Sequence, residues 1–103
     1  MEKTTYKVKL EGKSQLHEPN VKLEGIQINL WSTDGGETWI NDNVIVNVSG
    51  QLQVGMSCKA ISGTAWEFAV TNKTSGKAVL EEEGQTGSSG IPNYSEIFKS
   101  VNP

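Results

Sequence analysis

Apolar and polar residues alternate along most of the chain. Lys7 and Lys9 separate Tyr6, Val8 and Leu10, and Ile45 and Asn47 separate Val44, Val46 and Val48. Leu52, Val54, Met56, Cys58 and Ala60 alternate with Gln53, Gly55, Ser57 and Lys59, and Trp66, Phe68 and Val70 with Glu67 and Ala69. A period of two places every second side chain on one face, the pattern of a strand buried on one side. Val21 and Leu23 hold an odd phase, whereas Ile26, Ile28 and Leu30, beyond Gly25, hold an even one. A shift of one residue exchanges the faces, and glycine at the shift suits a β-bulge. Residues 21–31 therefore read as one long bent strand, with two short strands as the alternative. In both readings Ile26, Ile28 and Leu30 face the core and Trp31 points away from it.

The intervening segments carry turn chemistry. Glu11–Asn20 reads as a polar loop with Gly12, Pro19 and the single histidine, His17. Ser49-Gly50, Ser62-Gly63-Thr64 and Asn72–Gly76 read as turns, and Asn41-Asp42-Asn43 as a further turn or a bulge. Ala78–Leu80 reads as a strand, and Glu81–Gly90 as a long acidic loop. At the C-terminus Tyr94, Ile97, Phe98 and Val101 follow helical spacing, with Asn93 and Glu96 resembling a capping box. A short helical turn and a last strand both fit there. Six or seven short strands with frequent turns predict one all-β domain over residues 1–103, an antiparallel β-sandwich or small barrel.

Composition narrows the chemistry. All nine basic residues are lysine and the net charge is −3. Phosphate surfaces favour the arginine fork and a positive field, so no nucleic-acid partner is expected. The single cysteine, Cys58, allows no intrachain disulfide, and its phase predicts a buried, unreactive thiol. No apolar segment follows Met1-Glu2-Lys3 as in a signal peptide, and no apolar run approaches a membrane span. The expectation is a chain without membrane insertion, either cytoplasmic or placed at the cell surface by unconventional secretion. One His and one Cys cannot build a zinc site. Asp34, Asn41, Asp42 and Asn43 offer oxygens without EF-hand spacing. Glu37, Asp42 and Glu67 are the acids available for glycoside hydrolysis, which needs two facing carboxylates. We expect no catalysis, no metal and no cofactor.

Trp31-Ser32-Thr33-Asp34-Gly35-Gly36-Glu37-Thr38-Trp39 lies between two apolar runs. Asp34, Gly35 and Gly36 supply turn chemistry. Ser32, Asp34, Gly36, Thr38 and Trp39 together read S-x-D-x-G-x-T-W, which resembles the Asp-box hairpin of sialidase propellers. That resemblance implies an Asp and a Thr that tie the turn under a packed Trp. A whole propeller is excluded by length, since each blade takes about 40–50 residues.

The run from Gly55 to Gly76, with Ser62-Gly63-Thr64, Trp66–Val70 and Thr71–Lys77, resembles the strand–hairpin units of concanavalin-A-like sandwiches. Small hemagglutinins with a pared-down legume-lectin-like sandwich have about this length, although the legume lectins' calcium and manganese ligand cluster has no counterpart here. The resemblance implies a jelly-roll type sandwich and a non-catalytic lectin. Sugar recognition needs a flat aromatic face with amides and carboxylates beside it. Trp31, Asn29, Asp34, Trp39, Asn41, Asp42 and Asn43 are the expected ligand-binding residues, with glycans or glycoproteins as partners and a homo-oligomer supplying avidity. The alternative is a structural or protein-interaction module.

Overall fold

The computed structural model of the protein describes residues 2–87 and 90–103. These form eight strands: β1 (Glu2–Gly12), β2 (His17–Leu23), β3 (Ile26–Ile28), β4 (Thr38–Val48), β5 (Leu52–Lys59), β6 (Ala65–Asn72), β7 (Lys77–Gln85) and β8 (Tyr94–Val101). Sheet I has the order β4-β1-β6-β7 and sheet II the order β3-β2-β5-β8. Every pairing is antiparallel.

The alternation read from the sequence is the alternation of burial. Tyr6, Val8, Leu10, Val44, Val46, Val48, Trp66, Phe68 and Val70 turn inward from sheet I, and Val21, Leu23, Leu52, Val54, Met56 and Cys58 from sheet II. They form one core cluster shared by the two sheets, a β-sandwich-like architecture. Fully burying one such aliphatic side chain contributes about 1.5–3 kcal/mol, so the cluster carries the stability of a fold without a disulfide. Polar cross-links also join the sheets. Trp66 Nε1 on β6 donates to Ser95 Oγ on β8 at 2.9 Å, and Lys99 on β8 lies 3.6 Å from Glu82 on β7.

Several expectations are corrected or resolved. Residues 21–31 do not form one bent strand; the alternative of two short strands, β2 and β3, holds. Leu23 pairs with Ile26, so Glu24-Gly25 is a two-residue hairpin turn, with φ of +53° and +77°. Both central residues take the left-handed region, as a type I′ turn requires. Gln53 N donates to Glu24 Oε2 at 2.7 Å and Glu24 N to Gln53 O at 2.9 Å, which holds the turn against β5. Ile26 sits at the turn of an edge strand and is exposed, while Ile28 is buried.

The polar loop 11–20 is mostly strand. β1 runs to Gly12 and β2 begins at His17, leaving a short link whose Leu16 enters the core. Glu81–Glu83 and Gln85 belong to β7, because β6 offers a backbone partner to each of them. The remainder of that acidic loop falls partly outside the described residues. Of the two C-terminal readings the last strand holds: β8 pairs with β5 from Lys59↔Tyr94 to Leu52↔Val101. A ladder along the whole strand outweighs a two-turn helix, which is too short to be stable alone. Asn41–Asn43 resolves as a bulge: Tyr6 opposes Val44 and Val8 opposes Asn41, so Asp42 and Asn43 together face Lys7.

Candidate functional site

The segment between β3 and β4 passes from one sheet to the other, and its polar side chains hold that crossing. Thr38 N donates to Asp34 Oδ1 at 2.9 Å, and Ser32 Oγ donates to the same oxygen at 2.8 Å. Gly36 N donates to Ser32 Oγ at 2.9 Å. Trp39 Nε1 and Leu16 N both donate to Gly36 O, each at 2.8 Å. Gly36 is buried with φ +101°, and a β-carbon there would stand 2.9 Å from Gln15 Cγ. Only glycine suits that position. The Thr38 backbone N–H, followed by the Thr38 and Ser32 hydroxyls, lowers the Asp34 carboxyl to a pKa of about 2. Hydrogen bonds to the charged form have this sign. Asp34 and Trp39 are thus occupied in the turn, and Trp39 packs against the core.

Trp31 has a different environment. Trp31 N donates to Ile40 O at 3.3 Å and Ile40 N to Trp31 O at 3.0 Å, forming a single bridge beside β4. Ile40 opposes Lys9, Lys9 opposes Ala69, and Ala69 opposes Glu81. Opposed residues of antiparallel strands share a face. Trp31 therefore extends an outward-facing row of sheet I and is 53 % exposed. Asn41 Nδ2 donates to Asn29 O at 2.9 Å and Asn41 Oδ1 accepts from Asn43 N at 3.0 Å, so this amide holds backbone. Of the seven expected site residues, Trp31, Asn29, Asp34, Asp42 and Asn43 are exposed, and Trp39 and Asn41 are half-buried.

The sequence reading missed two aromatic side chains. Tyr94 and Phe98, which share an apolar face with Ile97 and Val101 in the helical reading, alternate in β8 with Ser95 and Ile97. Ser95 is buried and Ile97 half-buried, whereas Phe98 is 71 % exposed on the outer face of sheet II. The signal was present: read with period two, residues 94, 96, 98 and 100 share one face.

The groups considered for catalysis do not assemble. Cys58 is buried, and desolvation pushes its thiol up to about 11. His17 is exposed and opposes Lys59 rather than Cys58. Glu67 has Glu11 and Glu83 as its cross-strand neighbours, not Glu37 or Asp42. Among the described residues no three His, Cys, Asp or Glu side chains are grouped to hold a metal ion. No helix among them is long and apolar enough to cross a membrane. No protein-family model matches the chain, and no curated protein or solved structure matches it.

Proposed function

We propose that the chain is a non-catalytic carbohydrate-binding module, a lectin or hemagglutinin built on a jelly-roll or concanavalin-A-like sandwich. The observation that carries this reading is Trp31. The residue lies outside the core, its backbone fixed by a two-bond bridge to Ile40, and is more than half exposed. One face of a pyranose is lined by C–H groups and packs on such a ring, while its hydroxyls require amides and carboxylates. Asn29, Asp42 and Asn43 supply these close to Trp31 in the chain. Asp34, Trp39 and Asn41 hold the backbone of the crossing segment.

The ligand is a neutral glycan, free or on a glycoprotein, bound weakly at each site and strengthened by self-association. A glycan array probed with wild type and Trp31→Ala tests the reading. Wild type binds, the variant loses the binding made at residue 31, and EDTA leaves both unchanged. A wild type that binds nothing on the array and agglutinates no cells contradicts it. In that outcome the protein-interaction reading takes over, supported by exposed Ile45, Ile61 and Ile91.

A further inference from the structure

We infer a second sugar-binding site on the outer face of sheet II, with Phe98 as its platform. For its ligand class this proposal rests on the sugar-binding reading above. Lys22, Gly55 and Phe98 oppose one another across β2, β5 and β8, and Asn20, Ser57 and Glu96 form the neighbouring row. These side chains line one shallow groove. Gly55 has no positive φ that would demand glycine. A β-carbon there would lie in ordinary contact with Phe98 Cδ2, at 3.6 Å. Glycine at this position leaves the groove floor as bare backbone beside the ring. Phe98, 71 % exposed, keeps most of its surface open above that floor.

The polar groups of the adjoining row fit hydroxyls. Glu96 offers a carboxylate, Asn20 an amide and Ser57 a hydroxyl, so the row holds acceptors and donors together. Tyr94 Oη donates to Glu96 Oε2 at 2.7 Å, which fixes the carboxylate beside the ring. Phe98 and Glu96 are two residues apart on one strand, about 6–7 Å, and neighbouring strands are about 4.8 Å apart. One pyranose spans that distance with its C–H face on Phe98 and its hydroxyls over Glu96, Ser57 and Asn20. An anionic polymer is disfavoured by Glu96 and by the net charge of −3. Sites on separate sheets make one chain bivalent, able to bridge two glycans without a partner subunit.

An amide-resolved NMR titration with methyl β-D-galactopyranoside and methyl β-D-glucopyranoside tests this. With at least one of them, the Lys22, Gly55, Ser57 and Phe98 amides shift saturably, and they shift equally in Trp31→Ala. The response disappears in Phe98→Leu, which keeps an apolar cover over Gly55 without a ring, and survives in Phe98→Tyr. Absence of shifts at these amides overturns the second site, as does a Phe98→Leu variant that titrates like wild type. Shifts confined to residues around Trp31 overturn it while leaving the first site standing. Shifts confined to Lys22, Gly55, Ser57 and Phe98 support it and count against binding of these sugars at Trp31.

Discussion

Two aromatic rings lie opposite glycines in this molecule, and their environments differ. Trp66 on β6 opposes Gly84 on β7, and Phe98 on β8 opposes Gly55 on β5. Trp66 is 3 % exposed, and its indole N–H is bonded to Ser95 Oγ across the sheets. A β-carbon at Gly84 would stand 2.7 Å from Trp66 Cζ2 and 3.0 Å from Cε2. At Gly55 the nearest atom would be 3.6 Å away. The first pair has the close fit of a core, so its ring is committed to the fold. The second has the loose fit of a surface, so its ring is open to a ligand. An aromatic beside a strand glycine is thus either packed into the core or left open at the surface, and burial of the ring separates the two.

The largest effect that would sharpen this contrast is at Trp66. Trp66→Ala should lose about 3–5 kcal/mol, the usual range for a buried aromatic. A urea titration giving a loss below that range would show that the ring is not a core element. Gly84→Ala comes next, with a loss of about 1–3 kcal/mol from overpacking against a rigid indole. Gly55→Ala and Phe98→Leu should each stay within about 0.5 kcal/mol of wild type, as surface changes usually do. A Gly55→Ala variant as unstable as Gly84→Ala would erase the distinction between the pairs.

The crossing segment extends the contrast to the Trp31 and Trp39 pair. Trp39 Nε1 is held by Gly36 O, whereas Trp31 is held by its backbone. Asp34→Ala should lower the unfolding midpoint more than Glu37→Ala at neutral pH. The folded-state pKa of Asp34 is depressed from 3.8 to about 2, so its stabilisation is present above about 4 and is lost as pH falls toward 2. The gap between the variants should close over that window. A gap unchanged down to pH 2 would mean that the ionised carboxylate does not hold the turn.

Period-two alternation made five of the strand cores legible, because burial on one face imposes it directly. The Asp34 turn was legible too, since its bonds are local and its residues adjacent. Three features were hidden for physical reasons. The Glu24-Gly25 turn reverses the chain, and a phase shift at glycine looks the same in a bulge. β7 carries glutamates on its outward positions, which resemble a loop until β6 supplies the backbone partners. β8 has aromatics at a spacing of four, which satisfies both helical and strand periods, and only the ladder with β5 decides between them. That ambiguity left the face of Phe98 unassigned and concealed the outer face of sheet II. At the candidate site, sequence phase placed Trp31 outside, but it could not show that Asn41 holds backbone.

The central claim is that Trp31 serves a ligand and not the fold. It is tested most directly by following the intrinsic tryptophan fluorescence of wild type and Trp31→Ala in two titrations, one with urea and one with the glycan that wild type selects on an array. The account predicts coincident urea midpoints, a saturable emission change with glycan in wild type, and loss in Trp31→Ala of the change that arises at that ring. A shifted urea midpoint in Trp31→Ala, or glycan binding unaltered by the substitution, would contradict it.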